Sequence, residues 1–173
     1  VPCKTIGITG SAGKTTTTTL VGEMAKRNAQ SVMRNITHHA SHITAFIGGN
    51  IGDPLINYVD DMTADDLAVL ELSSFQLEQM TISPNIAAIL NITPNHLDRH
   101  GTMEAYTNAK ARILEFQSDK DMAILGRDDK GAWSLKNQVK GNLLTFSLQD
   151  LEEGLNGTYL HDGLLSLDRK SVV

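Results

Sequence analysis

The sequence predicts an α/β fold: a mostly parallel β-sheet flanked by helices, with a small antiparallel β extension at the C-terminal end. Three observations predict it. Short apolar runs at 6–9, 67–72, 86–92 and 122–125 recur between helix-length stretches, the pattern of strands covered on both faces. The first run enters a turn bearing Gly10 and Gly13, and a helix-length segment follows directly. Near the end, residues 157–167 fold as a hairpin about Asp162-Gly163, so the pattern shifts from alternating α/β to antiparallel β.

The totals bound the function classes. At 173 residues the chain is one domain by length, or one domain with a small appendage, and can bury a proper core. Its net charge of -5 argues against sequence-independent nucleic-acid binding, which needs clustered Lys and Arg to neutralise phosphates. No apolar run reaches membrane-spanning length and no signal-peptide pattern opens the chain, so the reading is cytoplasmic, with no membrane partner. Cys3 is the only cysteine, which excludes an internal disulfide and predicts a free buried thiol.

The stretch I-G-I-T-G-S-A-G-K-T-T-T-T-T, residues 6–19, has the order of a phosphate cradle. Gly10 and Gly13 let the backbone fold inward without a Cβ clash, and a helix N-terminus supplies N–H groups and a positive dipole end. Lys14 then reaches the terminal phosphates and the Thr15 hydroxyl suits Mg²⁺. The common motif has a further glycine where this chain has Ile8, so this is the G-x-x-G-K-T variant of a P-loop-type sheet. The plain alternative is an ordinary strand-to-helix glycine turn.

Strand 4–9 feeds a helix over 15–27, with Leu20, Val21 and Met24 expected to face the sheet. Thr15 to Thr19 are poor helix formers, so packing and phosphate binding must override local preference there. Residues 31–33 suggest a strand, and 35–42 read as a loop in which His38, His39 and His42 offer either a metal site or a solvated cluster. A strand over 43–47 runs into G-G-N-I-G-D-P, whose glycines around Asn50 imply a close backbone approach, or else a simple turn before a helix opening at Pro54. Strand 67–72 delivers Glu71 to its C-terminal end, the edge where ligands sit in open α/β sheets, with Ser73, Ser74 and Gln76 in the following loop. A strand-end glutamate is as often merely solvated; beside Lys14 and Thr15 it suits Mg²⁺.

Strand 86–92 ends in a polar loop over 93–101 that brings His96 to the same edge. Helix 103–116 follows, N-capped by Thr102, with Tyr106, Ala109, Ile113 and Phe116 at helical spacing. Lys110 lies beside that stripe, where a lysine either snorkels to water or is held near a site. A strand over 122–125, a helix capped by Asp128-Asp129 and a strand over 143–146 complete the series.

Taken in order, T-G-S-A-G-K-T-T, G-G-N-I-G-D-P, E-L-S-S-F-Q-L, N-H-L-D-R-H and A-Y-T-N-A-K-A-R-I resemble the central ATP-binding domain of the Mur ligases, and E-L-S-S-F-Q-L is most similar to the D-glutamate-adding branch. The resemblance implies an ATP-dependent amide ligase core joining D-glutamate to UDP-N-acetylmuramoyl-L-alanine through an acyl phosphate. It implies that Gly10, Ser11, Ala12, Gly13, Lys14, Thr15, Thr16 and Thr17 bind nucleotide, and that Thr15 and Glu71 hold one Mg²⁺ and His96 a second. It further implies that Asn50 and Ser73 contact the muramoyl substrate, and that Lys110 is carbamylated to help hold metal. Lys14, His96 and Lys110 would be the catalytic set.

The departures are Ala12 where the family has Asn, Asn95 where it has Asp, and about a dozen extra residues around the histidine stretch. The resemblance also implies that the whole of 1–173 is a central domain, with a UDP-binding domain before it and a D-glutamate-binding domain after it. The isolated domain would then be inactive in ligation. Two alternatives stand beside this: a nucleotide-binding module without turnover, and a sister ligase of the Mur or folylpolyglutamate type.

Overall fold

The computed structural model describes residues 1–35, 43–52 and 54–168. Eight strands form one sheet in the order β2-β3-β1-β4-β5-β6-β7-β8. They are β1 (Lys4–Thr9), β2 (Ala45–Gly49), β3 (Leu67–Glu71), β4 (Ile86–Ile89), β5 (Met122–Gly126), β6 (Asn142–Ser147), β7 (Gly157–His161) and β8 (Leu164–Asp168). All neighbouring pairs are parallel except β7 with β8. The expected α/β class therefore holds, and the C-terminal extension is a single antiparallel pair turned by Asp162 (φ 48°) and Gly163 (φ 78°).

Helix α1 (Lys14–Asn35) covers one face of the sheet and α4 (Met103–Glu115) the other. Strand β1 divides its side chains between them. Ile8, 1% exposed, packs with Val69 and Ala88 beneath Val21 of α1. Gly7 faces the opposite side, where a Cβ would stand 2.6 Å from Pro84 and 2.9 Å from Leu72. The larger core lies there, with Leu77, Ile89, Tyr106, Ile113, Leu114 and Leu125. Cys3 is a buried free thiol, in a small cluster with Met62 and Ala68.

Several expectations need correction. Helix α1 does not dock through Leu20 and Met24, which are 59% and 68% exposed; its covered line is Thr18, Val21 and Gly22. The phosphate-type turn sets how the helix enters, and a close approach follows: a Cβ on Gly22 would lie 2.2 Å from the Ile47 side chain. Small and β-branched residues therefore face the sheet, and the larger apolar ones face outward. The strand expected at 31–33 is the last part of α1. No breaker interrupts Ala25-Lys-Arg-Asn-Ala-Gln, and the good helix formers Ala25, Lys26, Arg27, Ala29 and Gln30 carry the helix on past Val32. Ser74 and Gln76 are not in a loop but in α2 (Ser74–Gln79), because Ser73 and Gln76 form a reciprocal capping box.

The polar stretch after β4 likewise contains a single turn, α3 (Leu97–His100), closed by Gly101 at φ 78°. Pro54 opens a 3-10 helix, Leu55–Asp61. Thr102 N-caps α4, and of the two aspartates after β5 it is Asp129 that caps α5 (Lys130–Trp133). His38, His39 and His42 lie outside the described residues.

Asp66, buried just before β3, ties that strand's entry to β2. Its carboxylate accepts from Thr44 N (2.6 Å), Thr63 N (2.7 Å) and Thr63 Oγ1 (2.9 Å). Burial opposes its ionisation, yet these bonds outweigh burial and hold the carboxyl below the ordinary carboxylate range. Its stabilising effect is thus fully present above the unfolded value near pH ~3.9 and is lost as pH falls through the lower folded value. Asp66→Asn, which turns an amide donor toward N–H donors, should cost about 1–3 kcal/mol at pH 7. Urea unfolding should show that gap narrowing below about pH 4.

Candidate functional site

Register brings the site together. Ile8 pairs with Glu71, Gly49 also pairs with Glu71, and Thr9 pairs with Ile89. The C-terminal ends of β1, β2, β3 and β4 therefore stand side by side, and the segments leaving them share one rim of the sheet. The chain order reverses at β1, which is flanked by β3 and β4, and such reversals open a crevice at that rim.

The glycine loop occupies the crevice. Gly13 adopts φ 80°, a left-handed conformation suited to glycine, and Thr17 N donates to Gly13 O (3.0 Å) as the helix begins. The main-chain N–H groups of Lys14, Thr15 and Thr16 precede that first bond and have no acceptor inside the helix. A helix of 22 residues behind them adds its dipole. Lys14 Nζ donates to Gly10 O (3.0 Å), and Lys110 Nζ donates to the same carbonyl (3.0 Å) and to Thr9 Oγ1 (3.2 Å).

Lys110 resolves the choice between snorkelling and burial in favour of burial. It is 1% exposed on the inner face of α4, with Nζ 4.8 Å from the centre of the Tyr106 ring. Burial first, and the nearby Lys14 ammonium second, lower its pKa to about 7. Tyr106 is itself buried and its hydroxyl lies 3.1 Å from Ser11 Oγ. Burial raises the phenol, against the opposing effect of that hydrogen bond.

On the other flank of the loop, Glu71 is 2% exposed and held by two side chains. Thr15 Oγ1 donates to Oε2 (2.7 Å) and Asn50 Nδ2 to Oε1 (3.1 Å), while Asn50 N donates to Glu71 O (2.8 Å). The close approach expected around Asn50 is real. Gly49 sits at φ 98°, and a Cβ there would stand 2.2 Å from Glu71 O. Thr15, Glu71 and Asn50 thus form one cluster of oxygen and amide groups beside the glycine loop. Such hard oxygen donors suit Mg²⁺, which takes one or two carboxylates and keeps several waters. Among the described residues no group of three or more His, Cys, Asp or Glu assembles, so this donor set is not that of a closed zinc site.

His96 shares the rim, exposed and at φ 52°, an uncommon conformation for a residue with a side chain. Its N–H donates to Asn95 Oδ1 (2.9 Å), a bond that Asp would make as well, so the departure at Asn95 removes charge rather than geometry. Its ring meets Phe75 edge-on, with centroids 5.6 Å apart. Ser73 lies at the end of β3, but its hydroxyl is engaged by Gln76 in the cap. Thr16 is exposed and Thr17 half-buried on the first turn of α1.

Two residues at this rim escaped the sequence reading. Asn91 lies within the run expected as an apolar strand; it bonds Ser11 and Ala12 of the loop. The signal was its polarity inside an otherwise apolar run. His100, nearly buried, stacks on Phe75 (5.0 Å) and meets Ser74 Oγ (2.9 Å), joining α2 to α3. Nothing local distinguished it from a solvated loop histidine.

Comparison with known proteins bears on the family and the fold. The family model described as "Mur ligase middle domain" matches residues 8–165. UDP-N-acetylmuramoylalanine--D-glutamate ligase of Clostridium botulinum (strain 657 / Type Ba4) is 43% identical over 171 residues, 99% of this chain and 34% of the relative. The chain therefore spans about a third of the length of the curated relatives it matches. Among solved structures, MurF from Acinetobacter baumannii superposes with TM-score 0.64 at 20% identity, over 92% of this chain and 33% of that one. MurF ligase from Thermotoga maritima in complex with ADP gives 0.59 at 22% identity, over 95% of this chain and 37% of that one. At those identities the structures speak to the fold. A family match over nearly the whole chain, on a sheet whose glycine loop, Glu71 and His96 share one rim, places this chain in the Mur ligase middle-domain family.

Proposed function

We propose that this chain is the ATP-binding core of a D-glutamate-adding ligase of peptidoglycan precursor synthesis, acting in the cytoplasm. The observation that carries the reading is the Thr15 hydroxyl on the buried Glu71 carboxylate, at the foot of a glycine loop served by Lys14 and Lys110. Residues 10–17 would take the triphosphate, through the N–H groups of the first helical turn and the Lys14 ammonium. Thr15 and Glu71 would hold one Mg²⁺ and His96 a second; bound there, the metal supplies charge neutralisation for phosphoryl transfer. Asn50 and Ser73, at the ends of β2 and β3, would meet the muramoyl substrate.

The reaction itself joins two anions. A carboxylate oxygen of UDP-N-acetylmuramoyl-L-alanine attacks the γ-phosphorus, the bond to the β-phosphate oxygen breaks, and ADP leaves. The amine of D-glutamate then adds to the acyl phosphate, its nitrogen loses a proton, and phosphate departs from the tetrahedral intermediate to leave an amide. The role of Lys14 is electrostatic: it offsets repulsion between carboxylate and triphosphate where charge develops. Lys110 has a different suitability. An amine with a pKa of about 7 is substantially neutral at physiological pH, and only a neutral amine takes up CO₂ to form a carbamate anion suited to Mg²⁺.

A narrower reading, nucleotide binding without turnover, is favoured for the 173-residue chain by itself, since its relatives are much longer. Calorimetry with Mg²⁺-ATP should detect weak binding by the chain and none by Lys14→Ala; equal affinity would remove the loop assignment. In the full-length protein, ADP should form from ATP only when the muramoyl-alanine substrate is present, and its absence with both substrates would reject the ligase reading.

The Lys110 amine should titrate with a midpoint near pH 7 when its ¹³C-labelled ε-carbon is followed by NMR, against about 10.4 for an unperturbed lysine. The neutral form is the one the fold favours, so the cost of burying this group grows as pH falls from about 10.4 to 7 and is constant below. Lys110→Ala should lower the activity of the full-length protein, with partial rescue by small carboxylates.

A further inference from the structure

The glycine loop is fastened to a residue that belongs to neither its strand nor its helix. Asn91 follows β4 by two residues and makes three hydrogen bonds to the loop. Ser11 N donates to the Asn91 carbonyl (2.9 Å), Ala12 N donates to Asn91 Oδ1 (2.9 Å), and Asn91 Nδ2 donates back to Ala12 O (3.1 Å). A primary carboxamide carries an acceptor and donors side by side, so one side chain satisfies both main-chain groups of a single residue. Ala12 is exposed, and without that clamp both groups would turn to water as readily as to the protein. The fit is close as well: a Cβ on Gly10 would stand 3.1 Å from Leu90 Cβ and 3.5 Å from Asn91 N.

A second fastening lies two residues on. Ser11 Oγ donates to Thr93 O (2.9 Å) and accepts from Thr93 N (2.9 Å), and Tyr106 OH is within 3.1 Å of the same hydroxyl. The segment from Asn91 to Thr93 continues into His96. Loop and histidine therefore stand on one frame.

We propose that Asn91 is a positioning residue for nucleotide binding: its carboxamide holds residues 11–13 in the shape that receives phosphate before the nucleotide arrives. Its side-chain bonds are to Ala12, so its effect passes through the loop backbone. Ordering a loop on binding subtracts from affinity, and a loop held in place beforehand avoids that cost. This inference rests on the nucleotide-binding reading above, and it assigns to Asn91 a part that the phosphate-loop motif itself does not contain.

Calorimetry with Mg²⁺-ADP on the wild-type chain and on Asn91→Ala tests it, together with amide hydrogen exchange of both without nucleotide. The dissociation constant should rise about tenfold in the variant. Amides 11–13 should exchange faster, while those of β1, β4 and β5 keep their protection. A residue that only supported the fold would lower the unfolding midpoint and leave the affinity of the folded protein alone. Wild-type binding with the variant within twofold of it overturns this inference and leaves the nucleotide reading standing. Failure of the wild type to bind overturns both. If Asn91→Ala does not fold, Asn91→Asp keeps the shape and the acceptor for Ala12 N but turns an oxygen toward Ala12 O. Faster exchange at 11–13 in that variant, read without nucleotide so that the added charge meets no phosphate, supports the inference; unchanged exchange overturns it.

Discussion

Parallel pairing of β1 with β3 on one side and β4 on the other is the constraint from which the site follows. Parallel neighbours end at the same rim, and the observed register leaves no residue of slack: Glu71 lies opposite Ile8, and Gly49 lies opposite Glu71. The glycine loop, the buried carboxylate and the segment bearing His96 are consequently delivered together, although more than eighty positions separate the first from the last. Were β3 shifted by one residue, Glu71 would turn to the other face of the sheet, because side chains alternate with a period of two.

Electrostatics then sets the character of the rim. Two ammonium groups, Lys14 and Lys110, donate to one carbonyl, that of Gly10, while Glu71 stands across the loop with both carboxylate oxygens engaged by Thr15 and Asn50. Burial penalises charge on the inner one, and the repulsion between two cations converging on one oxygen adds to that. Lys110 yields by tending to the neutral form. A polyanion entering between them would relieve the repulsion, which is the electrostatic sense in which the loop is complementary to phosphate.

The supports of this arrangement are mostly hydrogen bonds between segments distant in the chain. Asn91 and Thr93 hold the loop from the β4 side, Asp129 accepts from Ile92 N while capping α5, and His100 ties α3 to α2 through Ser74. Each joins segments that leave different strands of the sheet. Rigid helices and a covered sheet thereby transmit position to a rim made of short polar segments, the usual division between scaffold and function.

Composition and pattern sufficed for the class, for nearly every strand, for the glycine loop and for Glu71 as a strand-end carboxylate, because each is written in a local signal: a buried apolar run, a pair of spaced glycines, an acid where the run stops. They did not suffice for the face of α1, since Thr18 and Gly22 rather than Leu20 and Met24 meet the sheet, and the docking distance is chosen by Ile47 and the entry angle of the loop. Nor could they separate a buried Lys110 from a snorkelling one, or identify Asn91 as a partner of Ala12, because both depend on atoms about eighty or more positions away along the chain. Local chemistry is a property of neighbours in the chain, whereas burial and hydrogen-bond partnership are properties of neighbours in space, and only folding makes the second set known.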